Sequence, residues 1–218
     1  MFSRSPRIVD LSLPLRRGIR GFDWETSHTL ARDGWNARTL CIYSHAGTHA
    51  DAQLHFEAGP ETIDRKPLEA CSGRARVVEL PNVAPSQVLS PDDLGPVAGD
   101  FERGDVLLLA TRWSRHIDDT SLYRDRLPRI GEELARWCVT RGVRVLGVEP
   151  PSVADVANRE EVTRIHHILL AGGVTIVEGL TRLEQLKDKT AWFMAAPLAI
   201  EGGDGAPCRA FALVPDDA

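Results

Sequence analysis

Short runs rich in Val, Leu and Ile recur along the chain, and they predict a strand-dense fold. The strand candidates are Arg7–Leu13, Ala37–Tyr43, Arg76–Leu80, Asp105–Ala110, Val143–Val148, Val174–Glu178, Trp192–Leu198 and Arg209–Val214. Two segments carry helical periodicity instead. Ile130–Arg141 places Ile130, Leu134, Trp137 and Cys138 on one apolar stripe and stops at Gly142. Glu160–Ala171 carries Val162, Ile165, Ile168 and Leu169 and ends at Gly172-Gly173. Strand Asp105–Ala110, the first helix and strand Val143–Val148 form one expected βαβ crossover. The segment from Pro81 to Gly99 holds four prolines and two glycines, but strand signal flanks it, so it reads as an internal connection. The expected class is α/β, one domain over residues 1–218 with a mixed, β-rich sheet.

Composition narrows the function classes. The 218 residues suffice for one domain with a substantial core. With 43% hydrophobic and 26% charged residues, disorder, collagen and disulfide scaffolds are excluded. A formal net charge of −5 lacks the footprint of a nucleic-acid binder, and Arg16, Arg17 and Arg20 read as a solvated turn. No apolar run approaches a membrane span, and the N-terminus lacks an apolar core of signal-peptide length, so a cytoplasmic protein is expected. Cys41, Cys71, Cys138 and Cys208 are widely spaced and are expected as small buried hydrophobes.

Chemistry concentrates in His45-Ala-Gly-Thr-His49-Ala-Asp51-Ala-Gln-Leu-His55. Imidazole and carboxylate are the ligands expected of zinc or manganese. An extended chain would hold His45 and His49 roughly 13 Å apart at Cα, too far for one ion. A helix is disfavoured by Gly47 and Thr48. A tight bend at Gly47 lets His45, His49 and Asp51 converge, with the Thr48 hydroxyl holding the turn. A second half of the site is sought far along the chain. On helix Glu160–Ala171, His166 lies at the edge of the buried stripe and can face an interior site, whereas His167 falls on the opposite face. Glu178 ends an apolar strand, where a carboxylate needs a partner such as a metal.

The run H-x-G-T-H-x-D-x-x-x-H, formed by His45, Gly47, Thr48, His49, Asp51 and His55, resembles the signature of the cyclase-like metal-dependent hydrolases. That family includes bacterial kynurenine formamidases and isatin hydrolases. His166 followed twelve residues later by Glu178 is similar to the family's second ligand pair. The resemblance extends from Ile8-Val9-Asp10-Leu11-Ser12 to Pro197-Leu198. It implies a domain of swivelling β/β/α type, a homodimer or homotetramer, and hydrolysis of a C–N amide bond. The chain departs from the pattern at Gln53, at Glu149-Pro150-Pro151-Ser152 and at Phe22-Asp23-Trp24-Glu25, which bears on the substrate more than on the metal site.

The expected metal ligands are therefore His45, His49, Asp51, His166 and Glu178, holding one or two zinc or manganese ions. His55 and Glu178 are expected to carry the reaction, His55 as general acid/base or else as a further ligand. Trp24 and Trp113 are candidate walls for a flat, small-molecule substrate. Trp35 is a third, and Trp137 is expected in the core. Neither nucleic acid nor membrane is expected as a partner. Lactone opening and non-catalytic metal binding are the competing readings.

Overall fold

The computed structural model describes residues 6–187 and 190–215. The chain enters through β1 (Arg7–Asp10) and forms a hairpin of β2 (Phe22–His28) and β3 (Ala37–Ile42) around the single-turn α1 (Leu30–Asp33), then reaches β4 (His49–Asp51). It continues through β5 (Ser72–Glu79), the two-residue β6 (Val88–Leu89), α2 (Val97–Asp100), β7 (Val106–Ala110) and α3 (Thr120–Asp125). The two-residue β8 (Arg129–Ile130) leads to α4 (Glu132–Arg141), β9 (Val145–Val148), α5 (Arg159–Ala171) and β10 (Thr175–Glu178). The antiparallel strands β11 (Trp192–Pro197) and β12 (Gly205–Val214) follow.

The main sheet runs in the order β1-β12-β11-β5-β7-β9-β10-β4. It is mixed: β5, β7, β9 and β10 are parallel, and their neighbours are antiparallel. The short β4 pairs with β10 on one side and with β12 on the other, which closes the sheet into a barrel. The expected crossover is present as β7, α4 and β9, with Val106–Leu109 aligned on Val145–Val148.

Every side chain of β7 is buried, and its alternation serves two cores. Val106, Leu108 and Ala110 join a cluster with Val9, Val177 and Phe193 that includes many alanines, among them Ala50, Ala75, Ala195, Ala206, Ala210 and Ala212. Leu107 and Leu109 face the opposite way, onto Leu134 and Cys138 of α4 and Ile165 and Leu169 of α5. The outer helices thus anchor one side of the barrel, and α5 is the helix that reaches the site.

Several boundaries differ from the sequence pattern. Ile130 is buried but belongs to β8, and α4 starts at Glu132 after its cap at Gly131. β12 begins at Gly205, four residues before the expected Arg209, because Gly205–Pro207 pair with β4. β5 begins at Ser72 because Ser72–Arg74 pair with β11. The polar β2 was not among the expected strands; it pairs with β3 in a separate two-stranded ribbon. Cys71 and Cys138 are buried as expected, whereas Cys41 is exposed on that ribbon. Among the described residues no helix is long and apolar enough to cross a membrane.

Candidate metal centre

The bend at Gly47 is present. Gly47 has φ of +61°, a backbone conformation that favours glycine, and a Cβ there would lie 2.7 Å from Leu15 Cδ2 and force that side chain to move. Thr48 does more than close a local turn. Its buried hydroxyl donates to the Gly179 carbonyl at 2.6 Å and accepts from the Leu13 amide at 2.8 Å. Gly179 also has positive φ, and a Cβ there would lie 2.5 Å from the Gly47 carbonyl oxygen. The bend therefore packs directly against the residue after Glu178. β4 then sets His49 opposite Glu178 in antiparallel register, and directly opposed residues present their side chains on one face.

His49, Asp51 and Glu178 offer ligand atoms within 4.8 Å of one another, all three buried. His45, Asp51 and His55 form a second such group, so Asp51 is common to both. His166 projects inward from α5, with Nε2 3.3 Å from Glu178 Oε1 and 3.9 Å from Asp51 Oδ2. His167, its neighbour, is exposed, as the helix phase predicts.

The rings are tethered from behind. Nδ1 of His49 lies 2.9 Å from the Gly47 carbonyl, and Nδ1 of His166 lies 2.7 Å from the Val162 carbonyl. A carbonyl can only accept, so in the neutral rings each Nδ1 carries the hydrogen and each Nε2 presents a lone pair. Those lone pairs face carboxylate oxygens: His49 Nε2 is 3.2 Å from Glu178 Oε2. Facing acceptors require a proton or a cation between them. Burial opposes charge on His49 and His166, but hydrogen bonding to Glu178 raises both pKa values. Burial also works against the Glu178 anion, yet His166 and His49 hold that carboxyl well below the usual carboxylate range. Asp51 is fully buried, and among the described residues its Oδ2 has no hydrogen-bond partner. The donor set, the orphaned oxygen and the back-tethered imidazoles all fit a divalent ion.

His45 has a carboxylate at each nitrogen: Asp51 Oδ1 at Nδ1 and Asp204 Oδ2 at Nε2, both at 3.0 Å. Burial lowers its pKa, but these two partners outweigh burial and raise it to about 9. His55 stacks on His45 with ring centroids 3.8 Å apart. Burial, with the neighbouring His45 and His166, pushes the His55 pKa down, although Asp51 and Glu178 pull the other way.

A cavity of about 280 Å³ opens onto His45, His49, His55, His166 and Glu178. Ile19, Tyr43, Phe56, Ile117, Val156 and Val162 give it apolar walls, and Arg20 and Arg124 add cationic groups. Phe56 also stacks on His166 at 4.4 Å.

The two tryptophans expected as substrate walls do not line this cavity. Trp113 is 1% exposed; its Nε1–H donates to the Tyr123 carbonyl at 2.9 Å, and Tyr123 is the residue that reaches the wall. Trp24 sits on the ribbon between the guanidinium groups of Arg17 and Arg38, 4.4 and 4.6 Å from its ring. Both positions were open to sequence reasoning only as aromatic residues near strands. Asp204 was missed. Its sole local signal is a carboxylate between Gly203 and Gly205, and its partner His45 is 159 residues away.

Glu149, whose main-chain carbonyl accepts from the cavity-lining Tyr123, is fully buried; its Oε2 accepts from the Ser114 amide at 3.2 Å, and among the described residues its Oε1 has no partner. Burial pushes its pKa up from 4.5 to about 7. In that window the folded protein holds a proton the unfolded chain releases, so stability falls as pH rises, and the full cost persists above the folded pKa. Glu149→Gln removes the ionisable group. Relative to wild type, its unfolding free energy should improve by roughly 3 kcal/mol on going from about pH 4 to about pH 8. Urea unfolding of both proteins at the two pH values measures this, and an equal difference at both would refute it.

The family model described as "Putative cyclase" matches residues 9–155. A kynurenine formamidase from Bacillus cytotoxicus is 30% identical over 210 residues, covering 93% of this chain and 95% of the relative. The fold is shared with isatin hydrolase A from Labrenzia aggregata bound to benzyl benzoate, at a TM-score of 0.87 and 24% identity over 96% of this chain and 94% of that one. It is also shared with a predicted metal-dependent hydrolase from Bacillus stearothermophilus, at a TM-score of 0.73 and 24% identity over 96% of this chain and 98% of that one.

Proposed function

The chain belongs to the cyclase family, and on that premise we propose that it is a metal-dependent hydrolase of a non-peptide C–N amide bond, in an aryl formamide such as N-formylkynurenine or a cyclic amide such as isatin. The observation that carries this reading is the buried pairing of lone-pair nitrogens with carboxylates around the unpartnered Asp51 Oδ2. It sits at the base of a cavity sized for a small aromatic molecule.

His49, Asp51, Glu178 and His166 would hold one zinc or manganese ion, and His45 with Asp51 would serve a second. When bound, a divalent ion supplies Lewis acidity, which polarises a carbonyl and acidifies water. The rest falls to the chain. The apolar walls hold an aryl ring and keep bulk water from the amide carbon. His55, close to Asp51 yet partly accessible, takes a proton from the attacking water and returns it to the departing nitrogen. Glu178 acts with it by holding His49 and His166 in place. Arg20 and Arg124 suit a substrate that bears a carboxylate, as N-formylkynurenine does.

Treatment with a chelator should abolish hydrolysis of N-formylkynurenine or isatin, and zinc or manganese should restore it. Undiminished hydrolysis by metal-free protein overturns the mechanism. Fully metallated protein that cleaves neither compound removes the amide assignment in favour of a lactone or another small cyclic substrate. Folded protein that neither contains nor takes up metal overturns the metal centre itself.

A further inference from the structure

We propose that Asp204 is a positioning residue, whose single oxygen Oδ2 ties His45 to His55 and fixes the ring orientation of both. The inference rests on the hydrolase reading above and assigns a role to a residue outside the ligand motif.

The placement of Asp204 is dictated by barrel closure. The residue sits immediately before β12, and its neighbour Gly205 pairs with Asp51 across the β12–β4 ladder. The Asp204 carbonyl accepts from the Ala52 amide at 2.9 Å. At Gly205 a Cβ would lie 2.6 Å from His45 Cε1 and 2.9 Å from the Ala50 carbonyl oxygen, so the backbone passes directly against the His45 ring. The Asp204 carboxylate thereby reaches both imidazoles. Oδ2 lies 3.0 Å from His45 Nε2 and 3.4 Å from His55 Nδ1.

Each contact has a distinct consequence. The other nitrogen of His45 faces Asp51, so Asp204 takes the hydrogen on Nε2 and leaves Nδ1 to the metal side. This carboxylate–imidazole arrangement orients a ligand ring and raises its basicity. For His55 the dependence is stronger. Its ring otherwise stacks on His45 at 3.8 Å and meets Phe56 edge-to-face at 4.4 Å, and neither contact supplies a carboxylate that would choose between the two ring nitrogens. Among the described residues, Asp204 is the only side chain that lies within ion-pair distance of a His55 nitrogen. A carboxylate only accepts, so this contact puts the hydrogen on Nδ1 and leaves Nε2 as the nitrogen free for proton transfer. The contact of 3.4 Å is long for a hydrogen bond, and such contacts commonly tighten once substrate is bound.

The test is Asp204→Asn, which keeps size and one acceptor oxygen but offers His55 an amide that can donate. The side chain is 42% exposed, so the substitution does not threaten folding. At saturating zinc, metal stoichiometry should equal that of wild type, kcat should fall about 10- to 100-fold, and KM should change less than about 2-fold. Nitrogen-15 NMR of histidine-labelled, zinc-loaded protein should show the His55 Nδ1-protonated tautomer in wild type and a mixed or inverted population in the variant. In a His55→Ala background the part of the loss that acts through His55 should disappear, so the substitution should cost less than it does in wild type. Loss of metal at saturation would overturn the proposal by making Asp204 a ligand. An unchanged His55 tautomer would overturn it too, as would kcat within about 2-fold of wild type at full metal loading. The NMR and metal readouts need no turnover, so a shifted tautomer in a protein that hydrolyses no amide would sustain the role of Asp204 while sinking the hydrolase reading.

Discussion

Asp51→Asn is expected to empty the metal centre and to lower turnover by more than the roughly 100-fold typical of losing a group behind the ligands. Asp51 belongs to both ligand groups, so one substitution reaches every ion the site could hold. The amide keeps the shape of the carboxylate but surrenders its charge, and its NH2 group would point a donor where a cation belongs. The fold should survive, because among the described residues the Asp51 side chain makes no hydrogen bond to backbone, and its β4 pairing uses the main chain. A measurement independent of substrate follows by linkage. At metal about 100-fold above its Kd, wild-type protein gains about 2.7 kcal/mol of stability, and the variant should gain none. Thermal unfolding with and without zinc or manganese measures the difference. A variant that binds metal as tightly as wild type would remove Asp51 from the centre of the site.

What the sequence made legible follows from how locally each feature is determined. The β7–α4–β9 crossover was readable because Val106–Ala110 form a continuous apolar strand and the stripe on α4 has its own period. His166 could be told from His167 because helix phase alone separates a buried from an exposed position. The convergence of His49 and Asp51 was readable from a glycine and a distance limit. β4 was not: three residues, His49–Asp51, form a strand only because β10 and β12 flank them, and nothing in their composition says so. Asp204 was invisible for the same reason, since its role comes from a register between segments at opposite ends of the chain. The tryptophans failed differently. A strand end alone suggests an exposed Trp113, but Arg112 adopts positive φ there and the indole turns into a cluster with Tyr123 and Leu127. Proximity to a site-forming loop says nothing about which way a large side chain faces.

His55→Ala should separate metal binding from catalysis. His55 offers a nitrogen within 4.8 Å of ligand atoms on His45 and Asp51, close enough to act as a ligand. Its other properties fit proton transfer. The ring is 22% exposed, whereas His49 and His166 are nearly sealed, so of the three it is the most accessible from the cavity. Burial and the neighbouring imidazoles lower its pKa, which favours the neutral ring that can act as a base. Removing a general acid/base costs about 10²- to 10⁴-fold in rate. The variant should therefore retain full metal content while kcat falls within that range, and KM should change little because the apolar walls are intact. A formamide with a strongly activated leaving amine should lose less, since its departing nitrogen needs less help from a proton donor. If the variant instead loses half of a two-ion complement, His55 is a ligand and the proton must be carried by another group.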